Sequence, residues 1–224
     1  MSFSEEWNQV YINNLQLTAW PWTDLVSLIS RHCKGSIENN GVIFELGCGV
    51  GPNIPFIKSI GLEYYGIDGS KNVIEKLLLK FPELSERVFV GDFSSENVFE
   101  RLPKIDIIID RAAVTHNDSK SIAIILENCS KKLKTGGYFI GVDWFSTKHS
   151  DYHLGSMEND LNTRINIQSG QFKNVGLVHF SDEKHLKHLF SSFDIISLEE
   201  KVIQSYETNQ NHKFASWNIV ARKK

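Results

Sequence analysis

Val42-Ile43-Phe44-Glu45-Leu46-Gly47-Cys48-Gly49-Val50-Gly51 is the stretch that decides how this chain folds. A short apolar run reads as a buried strand. It breaks into three closely spaced glycines, and a helical pattern follows from about Asn53. Glycine adopts positive φ without strain and carries no Cβ to hold a ligand off the backbone. The helix that follows offers unpaired N–H groups. Strand, glycine loop and helix together read as a cradle for a cofactor.

The spacing narrows the choice of cofactor. A dinucleotide fingerprint is G-x-G-x-x-G with an acid about 20 residues on. Here the glycines run G-x-G-x-G, and Pro52 stands where the third dinucleotide glycine would be. The Walker pattern G-x-x-x-x-G-K-[ST] is absent as well. Glu45, an acid at the front of the loop, would repel a pyrophosphate and suits a ligand bearing an ammonium group and hydroxyls.

Short apolar runs alternate with helical patterns around this loop. Strands are expected at Val42 to Leu46, Tyr64 to Ile67, Arg87 to Val90, Ile105 to Asp110 and Tyr138 to Asp143. Helices are expected to begin near Asn53, Ser70, Glu96 and Asp118. The last places Ile122, Ile125, Leu126 and Cys129 on one face, carries Lys131, Lys132 and Lys134 near its end, and should be stopped by Gly136-Gly137. Alternation of this kind implies a parallel sheet covered on both faces, with ligands bound outside the carboxyl ends of its strands. Two helices are expected ahead of the core, Ser4 to about Leu15 and Trp22 to Cys33. Trp144 to Val178 is polar with no clear period; a helix over Asp182 to Phe190 and an antiparallel hairpin of Ile195 to Ser205 and Phe214 to Ala221 follow.

Composition excludes several classes. The 224 residues carry a net charge of −3, with 41% hydrophobic and 23% charged residues. Such a balance argues against an electrostatic grip on nucleic acid. No apolar run approaches the roughly 20 residues that cross a bilayer, and the first residues lack the basic and apolar parts of a signal peptide. Cys33, Cys48 and Cys129 are widely spaced and odd in number, which fits a reducing cytoplasm and gives no disulfide or zinc pattern. No metal is expected: His149-Ser-Asp151-Tyr-His153 has neither the spacing of a helical ligand pair nor that of a Cys/His zinc site, and reads as a polar loop. His185 and His188 read as surface residues of the last helix.

Three more signals sit at strand ends: Gly66-Ile67-Asp68-Gly69-Ser70, Gly91-Asp92-Phe93 and Asp110-Arg111-Ala112-Ala113. A carboxylate after the second strand can accept from both hydroxyls of a ribose, and an acid with an aromatic after the third can bind and pack an adenine. Each acid alone is equally what a helix cap or turn former looks like. Together with the glycine loop they line one edge of the sheet.

On these residues the chain resembles the class I S-adenosylmethionine-dependent methyltransferases, best over residues 40–145 and more loosely in the closing hairpin. The resemblance implies an α/β fold: a Rossmann-like three-layer sandwich with a mostly parallel seven-stranded sheet and an antiparallel C-terminal hairpin. It implies S-adenosyl-L-methionine as cofactor. The Gly47–Gly51 loop, with Cys48 in it and Glu45 before it, would hold the methionine part, Asp68 the ribose, and Asp92 and Phe93 the adenine. Asn53, Gly69, Ser70, Asp110 and Arg111 complete the expected cofactor set, with Trp7 and Tyr11, one turn apart in an N-terminal lid. Asp110-Arg111-Ala112-Ala113 is similar to the thiopurine and tellurite-resistance branch. The Asn/Asp-Pro-Pro-Tyr/Phe motif of nucleic-acid and protein amino-methyltransferases is absent from this position. The chain then reads as one methyltransferase domain, 1–224: lid helices over 1–33, a cofactor-binding core over 40–145, an acceptor-side insertion over 144–178, and the closing helix and hairpin over 179–224. The expected acceptor is a small molecule methylated on oxygen, a sugar or sugar nucleotide being one such class; sulfur or a metalloid is the alternative, and a binder that never turns over is a third. An oxygen acceptor needs a base, for which His116 and then Asp143 are the candidates. Cys48 reads as a packing residue, not a nucleophile; Trp20, Trp22 and Trp144 either line an acceptor pocket or pack the core.

Overall fold

The computed structural model describes residues 19–207 and 211–224. Trp7, Tyr11 and the helix expected over Ser4 to Leu15 lie outside them. Among the described residues the order is α1 (Thr23–His32), α2 (Lys34–Glu38), β1 (Val42–Leu46), α3 (Ile54–Ser59), β2 (Glu63–Asp68), α4 (Lys71–Lys80), β3 (Val88–Val90), α5 (Glu96–Glu100), β4 (Ile105–Arg111), α6 (Ser119–Lys132), β5 (Leu133–Phe145), β6 (Ser156–Glu158), β7 (Asp160–Ile165), β8 (Val178–His179), α7 (Glu183–Leu189), β9 (Phe193–Gln204) and β10 (Lys213–Lys223). Seven strands form one sheet in the order β3-β2-β1-β4-β5-β10-β9. β1 to β5 run parallel, while β10 lies antiparallel to both β5 and β9. The chain steps outward from β1 to β3, then crosses to β4, so the switch point lies between β1 and β4, where open α/β sheets bind ligands.

The central strands are apolar because both of their faces are covered. On β4, Ile107 and Ile109 join one cluster with Leu25, Leu28 and Ile29 of α1, Ile54 and Ile57 of α3, and Leu77 of α4. Ile108 joins the other with Phe99 of α5, Ile122, Ile125 and Leu126 of α6, and Leu186 and Leu189 of α7. Each fully buried Ile or Leu contributes roughly 1.5–3 kcal/mol relative to exposure. The expected apolar face of α6 is buried throughout, and its N-cap Asp118 accepts the Ser121 N–H at 2.8 Å.

Two expectations about elements are corrected. Gly136-Gly137 does not end α6. The helix stops at Lys132, and the glycines fall within the start of β5, where the register against β4 jumps from Ile105↔Leu133 to Ile107↔Tyr138. The extra residues loop out, and Gly136 takes φ +76°. Residues 144–178 are more ordered than their lack of period suggests. Leaving the sheet, they form most of a second antiparallel sheet, β6-β7-β8, over a cluster of Phe145, Ile167, Phe172, Val175, Val178 and Phe180. These apolar residues meet across turns, so no local period marks them.

Trp144 is a core residue and not an acceptor-pocket wall. It is 1% exposed, packs edge-on to Phe139, and donates its indole N–H to Asp110 Oδ2 at 2.7 Å. Trp144→Phe keeps most of that packing and removes the donor. It should lower stability by about 1–3 kcal/mol, the cost of an unsatisfied buried acceptor, measured by urea unfolding with the circular dichroism of the folded state unchanged.

Candidate active site

The glycine loop is shaped by close approach. Gly47 has φ +67°, and a Cβ there would stand 2.3 Å from the Cβ of Ala113, so the loop after β1 lies directly against the turn after β4. Gly49 is the reverse: among the described residues a Cβ built on it would meet nothing within 4 Å. The loop thus presents bare backbone to open space at the switch point. Asp68 braces it, with Oδ2 accepting the Gly49 N–H at 3.0 Å and Oδ1 the Ser70 N–H at 2.9 Å. The Gly69 backbone contributes as well, and these bonds oppose the upward push of burial on the Asp68 carboxyl. A carboxylate has about four lone-pair sites, so the brace leaves acceptor capacity for hydroxyls. Ser70 caps α4 by accepting the Val73 N–H at 3.4 Å. Asp92 lies at the end of the next strand, where the Gly91 N–H donates to the Asp68 carbonyl.

Several expected cofactor ligands are committed elsewhere. Glu45 is 3% exposed; Oε2 accepts the Tyr64 hydroxyl at 2.6 Å and Oε1 the Asn53 amide at 2.7 Å. Burial, outweighing both bonds, pushes its carboxyl up to about 7. Glu45 therefore anchors the loop from beneath through Tyr64 and Asn53. The Asn53 side chain is spent on Glu45 and on the Trp22 N–H, at 3.4 Å. Cys48 offers no ligand either: its thiol is buried in the core, and its N–H donates to the Ile67 carbonyl at 3.0 Å. Phe93, 7% exposed, packs in the core with Phe44 and Phe99. Asp92 accepts the Ser94 N–H at 2.9 Å and its hydroxyl at 2.6 Å, the turn-forming alternative for that acid.

Asp110 is wholly buried. Oδ1 accepts the Ala113 and Val114 N–H groups at 3.1 Å each, and Oδ2 takes the Trp144 indole. Burial raises it to about 7 against these bonds. Its oxygens are engaged in shaping the turn and in holding Trp144. Arg111 lies 3.6 Å over the Trp22 ring and pairs with Asp143 at 3.2 Å. Asp143 also pairs with Lys201 at 2.6 Å and accepts the Ser216 hydroxyl at 3.0 Å. Two cations and a hydroxyl engage both oxygens of Asp143, which makes it a positioning group for Arg111. Lys201 continues to Asp24 of α1, which also accepts from Asn218 at 3.1 Å. No local pattern marks this network, because it joins strand ends to residues far along the chain.

His116 sits in a single turn of 3₁₀ helix, Val114–His116. Its Nδ1 faces the Leu177 carbonyl at 2.9 Å and its ring meets Phe145 edge-on at 5.9 Å. A carbonyl partner requires the proton on Nδ1, so Nε2 carries the lone pair. Burial lowers its pKa to about 4, against the Leu177 bond. The ring is neutral at physiological pH and docked on the insertion. Trp20 is exposed. His188 is exposed, but His185 is half-buried, its Nε2 3.1 Å from that of His179. The segment His149 to His153 is not a simple polar loop, since His149 and Asp151 are each 1% exposed.

A 3-2-1-4-5 parallel order extended by an antiparallel hairpin, with a braced glycine loop at the switch point, defines the class I methyltransferase fold. Residues 44–139 match the Methyltransferase domain family. Among curated proteins, 134 residues align at 29% identity with the tRNA N(3)-methylcytidine methyltransferase Mettl2 of Drosophila melanogaster, covering 56% of this chain and 41% of that protein. The chain thus spans about two fifths of the length of the curated relative it matches. A SAM-dependent methyltransferase of Methanosarcina mazei superposes with a TM-score of 0.66 at 19% identity, over 91% of this chain and 98% of that one. TehB from Haemophilus influenzae superposes with a TM-score of 0.63 at 18% identity, over 96% of this chain and 66% of that one. Residues 44–139 thus carry a methyltransferase-domain match within a fold of the class I type, which supports S-adenosyl-L-methionine as the cofactor. The residues present fit that cofactor: bare backbone and open space at Gly49, and remaining acceptor capacity on Asp68. No helix among the described residues is long and apolar enough to cross a membrane.

Glu45 gives the site a pH signature. Its folded value of about 7 lies above the ordinary 4.5, so the folded state binds the proton more tightly and stability from this group is lost as pH rises from about 4.5 through 7. Glu45→Gln removes that titration. Between pH 5 and 7.5 the stability of the variant relative to wild type should shift in the variant's favour by on the order of 2 kcal/mol, read from denaturation curves without cofactor.

Proposed function

We propose that this chain transfers the methyl group of S-adenosyl-L-methionine to a small-molecule acceptor, at an oxygen, with a sugar or sugar nucleotide as one acceptor class. The observation that carries the cofactor half is the Asp68 brace on a glycine loop that faces open space. When bound, the cofactor supplies an activated methyl group on a sulfonium. The work of the protein is then to align the acceptor and exclude water, and proximity alone lowers such barriers by several kcal/mol. Gly47, Gly49 and Gly51 would hold the methionine part and Asp68 the ribose, with Asp92 and Gly69 toward the adenine side. Residues 1–33 and 144–178 would frame the acceptor within one methyltransferase domain, and the Arg111–Trp22 stack fixes the start of α1 against the sheet edge. His116, neutral and pinned on Leu177, is the base: its Nε2 lone pair takes the acceptor hydroxyl proton. Asp143, engaged by Arg111, Lys201 and Ser216, serves to position Arg111.

A second reading has its own support in the match to a tRNA-modifying enzyme. In that reading the acceptor is a nucleic acid, although the net charge of −3 supplies little phosphate attraction.

Calorimetric titration with S-adenosyl-L-methionine and its demethylated product tests the cofactor site. Wild type should bind both, and Asp68→Ala should weaken them about tenfold or more, the equivalent of 1.4 kcal/mol. No binding by wild type would sink the proposal. For the acceptor, His116→Gln should retain cofactor affinity and lose about 10²–10⁴-fold in kcat/KM on an oxygen acceptor. Unchanged turnover would point to a thiolate, which needs no base, and turnover on tRNA alone would establish the second reading.

A further inference from the structure

His149 and Asp151 lie just beyond β5, in a 3₁₀ turn over Ser150–His153, and His212 lies at the end of the loop joining β9 to β10. The fold brings the three together. Asp151 Oδ1 stands 3.5 Å from His212 Nε2 and 3.8 Å from His149 Nδ1, and one donor atom from each residue falls within 4.8 Å of the others. A tetrahedral zinc ion with bonds of about 2.0–2.1 Å separates its ligand atoms by about 3.4 Å. Two of the three spacings therefore need only small contraction.

The donor atoms are aimed and poorly satisfied. Among the described residues neither Asp151 Oδ1 nor His212 Nε2 has a hydrogen-bond partner, though both are buried. The other carboxylate oxygen, Oδ2, is held by the Phe172 N–H at 2.9 Å, which fixes Oδ1 toward the imidazoles. A side chain at Gly170 would come within 2.5 Å of the same carboxylate. His149 Nε2 faces Gln171 Oε1 at 3.4 Å, which places the ring proton on Nε2 and leaves Nδ1 as the acceptor. Outer hydrogen bonds of this kind orient metal-binding His and Asp side chains. Phe145, Phe172, Phe180 and Phe214 surround the His149 ring. Burial keeps His149 neutral, as ligation requires. Nδ1 accepts the Asp151 N–H at 3.0 Å, and release of that bond is the rearrangement binding needs. His149 also lines a polar cavity of about 680 Å³, with Lys148, Ser150, His153 and Lys213, which gives an ion its way in.

We propose that His149, Asp151 and His212 bind a divalent transition-metal ion of the zinc type, tying the segment after β5 to the β9–β10 loop. Two nitrogens and one carboxylate oxygen suit zinc, and three protein ligands leave a fourth position for water or substrate. Sequence spacing concealed the site because its third ligand follows the first by more than sixty residues and comes from another element.

The test is zinc titration of the chelator-stripped protein against a chromophoric indicator, using wild type, His212→Ala, Asp151→Asn and His153→Ala. Wild type and His153→Ala should bind one equivalent with equal affinity, while His212→Ala and Asp151→Asn weaken it about 100-fold. Zinc should raise the melting temperature of wild type and not of His212→Ala. Absence of micromolar binding by wild type, or equal binding by His212→Ala, overturns the site. His212 is partly exposed on a loop, so its variant decides the matter even if Asp151→Asn fails to fold. Cofactor titration of the same samples keeps failure of this site distinguishable from failure of the methyl-transfer reading.

Discussion

Asp110 is a carboxylate with no exposure and no cation in direct contact, in a position where an unsatisfied charge would be prohibitive. Three donors satisfy it: two backbone N–H groups of the turn that follows and the indole of Trp144. The geometry of the site descends from that arrangement. The turn it closes presses Ala113 against Gly47, which forces the loop after β1 into the conformation only glycine holds easily. The same turn carries His116 toward Leu177. Trp144 ties the end of β4 to β5, and Asp143, next to Trp144, holds Arg111 over Trp22. One buried acid thereby sets the cradle, the candidate base and the mooring of the first helix.

Acidic residues at the ends of the strands divide into two kinds. Asp68 is a brace whose oxygens keep lone pairs to spare, and it belongs to the cofactor face. Glu45 and Asp110 accept from neutral donors and are raised to about 7 by burial. In sequence all three look alike, since each ends an apolar run beside glycine or small residues. What separates them is the donors each meets: backbone N–H groups of the glycine loop and the turn after β2 for Asp68, and side chains such as Tyr64, Asn53 and Trp144 from other elements for Glu45 and Asp110.

The same distinction governs what could be read beforehand. The sheet, its alternating helices and the closing hairpin were legible because periodicity is local: Ile122, Ile125, Leu126 and Cys129 announce the face of α6 by themselves. The glycine loop was legible because its conformational demand is local too. The insertion was not, because Phe145, Phe172 and Phe180 form a core only after the chain has doubled back. Nor was the Asp24–Lys201–Asp143–Arg111 chain, whose members come from α1, β9, β5 and β4. Trp144 and Asp143 show the same limit: adjacent in sequence at a strand end, each allows both a structural and a site reading, and the partners that engage them come from other elements.

The bond between Asp24 and Lys201 spans 177 positions. Closing so wide a loop is entropically demanding, and it is rewarded late, after the sheet between the two residues has formed. Since Lys201 also secures Asp143, and through it Arg111 and Trp22, the rim of the site is completed by one of the last strands to be made. A nascent chain that has emerged only as far as β5 would possess the glycine loop and its Asp68 brace, but not the frame around them. The glycine loop with its brace and the rim around it are in this sense separated in the history of each molecule, the first drawing on contacts close in sequence and the second on a finished sheet.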